Sequence, residues 1–150
     1  MKSTYLITGA VLALLLGGVW LSSALRERDP SILARNGLHW HPQLEIIVND
    51  ERVVIPENVG VGTAYAGMPT YDARMGMAAI HTHEDLPLIH MEFPGIVRVE
   101  DTILGNFFEI WGKDIREFGT RVTMTVNGVE SSEFENYRMR DGDKIRLVYE

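Results

Sequence analysis

Residues 80–93 read Ile80-His81-Thr82-His83-Glu84-Asp85-Leu86-Pro87-Leu88-Ile89-His90-Met91-Glu92-Phe93. Segments 79–83 and 88–93 flank the turn formers Glu84-Asp85-Leu86-Pro87, which predicts two short strands joined by a hairpin loop. Pairing His83 with Leu88 then sets His81 opposite His90. Side chains two apart on a strand share a face, with Cα atoms ~6.6–7 Å apart. His81, His83 and His90 therefore come to one face, followed by Glu92. Met91 alternates out of phase and is expected on the other face.

Beyond this hairpin, residues 96–100 alternate as another strand. The pattern then changes at Leu104, Phe107, Phe108 and Trp111, an i, i+3, i+4, i+7 stripe with Asp101 or Thr102 as cap before it and Gly112 after it. That spacing predicts a short amphipathic helix whose aromatic stripe packs in the core. Residues 121–126 alternate up to Asn127-Gly128, and Ile145, Leu147 and Tyr149 alternate after Asp141-Gly142-Asp143. These predict a C-terminal pair of strands.

Upstream, Leu44, Ile46 and Val48 alternate before Asn49-Asp50, and Val53-Val54-Ile55 runs back to Pro56, a hairpin signal. Residues 57–78, rich in Gly, Ala and Met, show no period and read as a long loop. Asp29-Pro30-Ser31 before Ile32-Leu33-Ala34 predicts one helical turn within a stalk over 26–37. Hairpin, helix, hairpin gives an α+β domain over 38–150, β-grasp-like or a small open barrel of short strands with one main helix.

Residues 5–25 carry no charge, and a helix of that length rises about 30 Å, the thickness of a hydrocarbon layer. Residues 1–25 are therefore expected to form a transmembrane signal-anchor. The protein would be single-pass in the cell membrane, with the soluble domain extracytoplasmic. A cleaved signal peptide is the alternative, with Ser22-Ser23-Ala24 as the small residues of a cleavage site.

The chain has 150 residues, 21 acidic against 14 basic, a net charge of −7 and no cysteine. The acidic balance excludes a phosphate-backbone binder, so no nucleic-acid partner is expected. Without cysteine there is no disulfide framework, thiolate metal site or thiol catalysis. A metal has to be held by histidine, carboxylate or thioether groups.

All five histidines lie in two stretches, His39-Trp40-His41 and His81-Thr82-His83 with His90. His39 and His41 precede a predicted strand, where they complete the His81–His83–His90 site or build a second one; Trp40 between them packs on the opposite face. Neutral imidazole suits Zn, Cu, Fe and Ni. Met68, Met75, Met77 and Met91 fall close by, and thioether favours copper, Cu(I) especially. The candidate metal ligands are thus His39, His41, His81, His83, His90 and Glu92. Copper ranks first, zinc second, and iron or manganese third, with Glu92 or Asp85 as a carboxylate ligand. Methionines in a Gly/Ala loop also have an ordinary use as adaptable apolar filler.

The pieces Asn-Gly-Leu-His-Trp-His at 36–41, Ile-Pro-Glu-Asn-Val-Gly at 55–60, Ile-His-Thr-His at 80–83, Ile-His-Met-Glu at 89–92 and Leu-Gly-Asn-Phe-Phe-Glu-Ile-Trp-Gly at 104–112 together resemble an uncharacterised family of small secreted or membrane-anchored prokaryotic proteins. Leu-Pro between the second and third histidine motifs resembles the form in small-genome candidate-phylum bacteria. The resemblance implies that the five histidines and Glu92 belong to one motif set. It implies no activity.

Three functions fit the sequence. The first is a membrane-anchored metal-binding module that binds, buffers or delivers an ion through the histidine cluster. A second is a metalloenzyme with a three-histidine site and Glu84, Asp85 or Glu92 as proton acceptor. No nucleophile motif, HExxH or phosphate loop indicates its reaction. The third is a structural or partner-binding domain with a metal-free histidine network, or a pH-sensitive patch titrating near ~6.5.

Overall fold

The computed structural model describes residues 2–24 and 29–150, with side chains at 5, 7–23 and from 29 onward. Residues 1 and 25–28, which include the end of the expected anchor and the start of the expected stalk, lie outside the described residues. The chain runs α1 (Lys2–Ala24), β1 (Ile32–Ala34), β2 (Leu38–Trp40), β3 (Gln43–Val48), β4 (Glu51–Arg52), β5 (Tyr71–Asp72), β6 (Met77–Ala78), β7 (Ile80–His81), β8 (His90–Phe93), β9 (Val97–Arg98), α2 (Leu104–Trp111), β10 (Val122–Val126), β11 (Val129–Ser131) and β12 (Lys144–Tyr149). Short 3-10 turns lie at Thr63–Tyr65, Val99–Thr102 and Phe134–Asn136. Two compact units result, Met1–Pro30 and Ser31–Glu150.

In the first unit, α1 leaves Leu14, Leu15, Val19 and Trp20 exposed. The expected membrane anchor over 5–25 has to be corrected, and with it the signal-anchor assignment and the single-pass membrane location. Among the described residues no helix is long and apolar enough to cross a membrane. Absence of charge is not sufficient for a span. Thr8, Gly9, Gly17, Gly18, Ser22 and Ser23 interrupt the apolar run.

The second unit is a mixed α+β structure with its strands in four sheets, not the β-grasp-like arrangement or small open barrel expected. The largest sheet has the order β11-β10-β12-β3-β4. Asn49 and Asp50, at φ 49° and 66°, turn β3 into β4 with Val48 opposite Glu51. Asn127 and Gly128, at φ 53° and 82°, turn β10 into β11 with Val126 opposite Val129. Both are two-residue hairpins with positive φ at the two central positions, the geometry that follows the twist of the strands. Between the hairpins, β12 runs antiparallel to β10 and parallel to β3. Leu44, Ile46, Met124, Ile145, Leu147 and Tyr149 of this sheet are buried in one core with Leu104, Phe107, Phe108 and Ile110 of α2.

Gly112, left-handed at φ 73°, ends α2 by donating to the Glu109 and Phe108 carbonyls. The N-terminus differs from expectation, because Ile103 is the cap residue and supplies no side-chain bond. Asp101 accepts from the Arg98 amide and Thr102 donates to the Val99 carbonyl, so both candidate caps serve the preceding turn. Residues 32–34, expected as a helical turn, pair with β9 as β1. The 57–78 loop contains the small hairpin β5–β6, in which Asp72 receives the Arg74 amide and Gly76 sits at φ 71°.

Candidate metal centre

The three-stranded sheet β2-β8-β7 carries the histidines. Its registers set His81 opposite His90 and His39 opposite Glu92. Directly opposed residues share a face, so His39, His81, His90 and Glu92 stand on one side of the sheet. The other side presents Ile80, Met91 and Trp40, which are also mutually opposed. Ile80 and Met91 are buried in the core and Trp40 packs against it. This apolar side fixes which face the histidines take, since a slip of one residue would turn them into the apolar core and Met91 out of it.

His81 lies opposite His90 as expected, but the predicted partnership of His83 with Leu88 does not form. Leu88 bridges Gln43 at the start of β3 instead, and the Ile89 amide donates to the Pro42 carbonyl. β7 consequently stops at His81. What holds His83 in place is a strap of hydrogen bonds from residues 56–59 to Thr82. The Thr82 hydroxyl donates to the Pro56 carbonyl and accepts from the Val59 amide, at 2.9 and 3.0 Å. The Thr82 amide donates to the Val59 carbonyl, and the Asn58 amide to the Thr82 carbonyl. Thr82 is fully buried.

Gly60 closes this strap at φ 80°. A Cβ there would stand 2.8 Å from the Ile80 carbonyl oxygen and 3.1 Å from the His81 Cβ, so only glycine fits behind the histidine strand. Neither Thr82 nor Gly60 stands out in the sequence beyond its position inside or near a histidine motif. On the opposite flank, the His41 amide donates to Asp141 in the C-terminal turn at 2.8 Å. In that turn Asp143, buried, receives the Tyr137 hydroxyl, the Arg140 amide and the Asn127 side chain.

All five imidazoles form one continuous cluster. Ring centroids lie 4.7 Å apart for His39–His41, 4.9 Å for His41–His90, 4.9 Å for His83–His90, 4.8 Å for His81–His83 and 5.5 Å for the stacked pair His81–His90. His90 is the hub. His81, His90 and Glu92 each offer one ligand atom, all within 4.8 Å of one another. Small side-chain rotations bring such a set onto one ion with bonds of ~2.0–2.1 Å.

Protonation in the cluster follows from the partners. His81 Nδ1 is 2.9 Å from the Ala78 carbonyl oxygen, which can only accept, so Nδ1 carries the hydrogen. Nε2 is left with its lone pair, and that atom is buried with no hydrogen-bond partner. Burial pushes His81 down to about 4, so the ring is neutral at pH 7. His90 Nε2 is 3.0 Å from both oxygens of Asp85 and donates to that carboxylate. This leaves Nδ1 of a neutral His90 as the free ligand atom. The same hydrogen bond holds the Asp85 carboxyl below the usual carboxylate range. A backbone carbonyl behind one imidazole and a carboxylate behind another are the supports that orient metal-binding histidines.

The structure therefore brings His39, His41, His81, His83, His90 and Glu92 together. It separates the methionines from them unevenly. Met91 is in the core and Met77 pairs with Asp72, while Met75 lines an open depression of about 440 Å³ with His39 and Glu92. Comparison with known protein families, with curated proteins and with solved structures returns no match.

Proposed function

We propose that this protein binds a divalent transition-metal ion, with His81, His90 and Glu92 as ligands and His83 beside them, and that it serves to hold or hand on that ion. The observation that carries the proposal is His81 Nε2. An unpartnered polar atom in a buried position costs about 1–3 kcal/mol, and its hydrogen is fixed on the other nitrogen by Ala78. A cation converts that cost into a bond.

Nitrogen and carboxylate donors rank Cu(II) above Zn(II) in affinity, so copper stays first and zinc second. The reason for copper shifts from thioether to imidazole, because Met91 is buried in the core on the other side of the sheet. Iron and manganese remain third, with Glu92 as the oxygen ligand. A metal-free histidine network is the second reading, favoured by Asp85–His90 and His39–His41, which pair without an ion.

Untagged full-length protein, stripped with chelator and titrated with Cu(II) and Zn(II) at pH 7.5, separates the two readings. Metal binding predicts sub-micromolar uptake that His81→Ala lowers by at least about 100-fold. A folded protein with no uptake of either ion leaves the hydrogen-bond network as its function.

A further inference from the structure

We infer that the cluster takes a second ion at its exposed edge, held by His39 and His41 and sharing Glu92 with the first. The inference rests on the metal-binding reading above and adds a separate site to it. Three atoms carry it. His39 Nε2 lies 3.1 Å from His41 Nε2 and 3.2 Å from Glu92 Oε1. Donor atoms around a tetrahedral ion with bonds of ~2.0–2.1 Å stand about 3.3 Å apart, so each of these two spacings is that of two ligands on one ion.

Proton counting favours a cation over hydrogen bonds among these three atoms. An imidazole nitrogen offers a lone pair only when it carries no hydrogen, and the carboxylate oxygen supplies none. If His39 Nε2 holds a hydrogen, it is divided between two acceptors. If His41 Nε2 donates to His39 instead, the Glu92 oxygen faces a bare lone pair at 3.2 Å. One cation satisfies all three atoms at once.

The two sites differ in access. The His39 side chain is 63% exposed and that of Glu92 30%, against a fully buried His81. The backbone supports also differ, since His41 is gripped through its amide by Asp141 and His81 through its ring by Ala78. The inner ion would have its ligands fixed by the protein. The outer ion keeps solvent-facing positions for a small anionic or neutral oxygen or nitrogen ligand, with Met75 on the wall of the same depression. Glu92, in contact with His39 and grouped with His81 and His90, is a carboxylate placed to reach both.

The test is a Cu(II) titration of the full chain, followed by elemental analysis and electron paramagnetic resonance at one and two equivalents. Wild type is expected to retain two ions, the second spin-coupled to the first, so that the integrated signal falls below two spins. His39→Ala/His41→Ala is expected to retain one ion with an uncoupled signal and first-ion affinity within about threefold of wild type. Glu92→Gln is expected to lose the coupling and to weaken both ions by about 10–100-fold. Circular dichroism of each variant confirms folding, and His39→Gln/His41→Gln replaces the alanine pair if that pair unfolds.

Retention of one ion by wild type, unchanged in the double variant, overturns the second site and leaves the inner one standing. Loss of every ion in the double variant also overturns it, because the histidines then serve a single site. Two ions that stay coupled in Glu92→Gln overturn the shared carboxylate. No retained ion in wild type overturns both this inference and the proposed function.

Discussion

The five-stranded sheet and the three-stranded sheet reach a fixed register by different means. β3, β10 and β12 are long enough for hydrophobic alternation, and two two-residue turns set the pairing. In the small sheet, β7 has two residues and β2 three. So few residues specify register weakly. Its geometry comes from outside the strands: Thr82 strapped to residues 56–59, Gly60 against Ile80, Leu88 drawn to Gln43, and His41 gripped by Asp141. The large sheet sets its register from its own strands and turns, and the small one holds the histidine cluster on borrowed supports.

Mutation of each sheet gives the sharpest contrast. Leu147→Ala, in the buried centre of the large sheet, is expected to cost ~2–5 kcal/mol in denaturant unfolding. The fraction that remains folded should keep its metal stoichiometry. A large loss of stoichiometry with a small loss of stability would remove the distinction between the sheets.

Acid is expected to act on the small sheet at a comparable scale. The unfolded chain holds His81 near its ordinary 6.5 and the fold holds it at about 4. Between those values the unfolded state binds the extra proton. The stability associated with a neutral His81 is thus complete above about pH 6.5 and declines as pH falls toward 4, by about 3 kcal/mol in metal-free protein. Unfolding curves from pH 7 to 4 on wild type and His81→Ala check this, and equal slopes would contradict it.

Gly60→Ala combines a positive φ with a close contact on the Ile80 carbonyl, and an expected cost of ~1–3 kcal/mol follows. Unlike Leu147→Ala, it should weaken metal binding in molecules that remain folded, because the clash displaces His81. The smallest effect is expected from Asp85→Asn. Its exposed carboxylate contributes little to stability, but loss of the charged partner of His90 should lower metal affinity by about tenfold, measured by chelator competition.

Much of this contrast is legible in the sequence, and for the same reason that the sheets differ. Asn49-Asp50 and Asn127-Gly128 announce their turns because both positions need left-handed backbone. The Leu104–Trp111 stripe and its closing Gly112 announce α2. Pairing of His81 with His90 and the inward direction of Met91 are also readable, since both follow from alternation around one turn. The parallel contact of β12 with β3 is not, because no local pattern encodes a partner so distant along the chain. The apolar run at the N-terminus misleads because absence of charge does not by itself make a membrane span. At the candidate metal centre the histidines and Glu92 are legible and their supports are not, since Thr82, Gly60 and Asp141 brace them through backbone groups that every residue possesses.

The bond from the His41 amide to Asp141 joins residues 100 positions apart, and it has a consequence for the order of assembly. During synthesis the His39–His41 pair emerges well before the turn that orients it. The β3 strand beside it gains its central neighbour only when β12 is made. Closing so long a loop is slow compared with local turns. On the proposed metal-binding reading, an ion present at that time meets a loose two-histidine chelate first and the finished cluster last, so the rate of metal capture is expected to report the completion of folding.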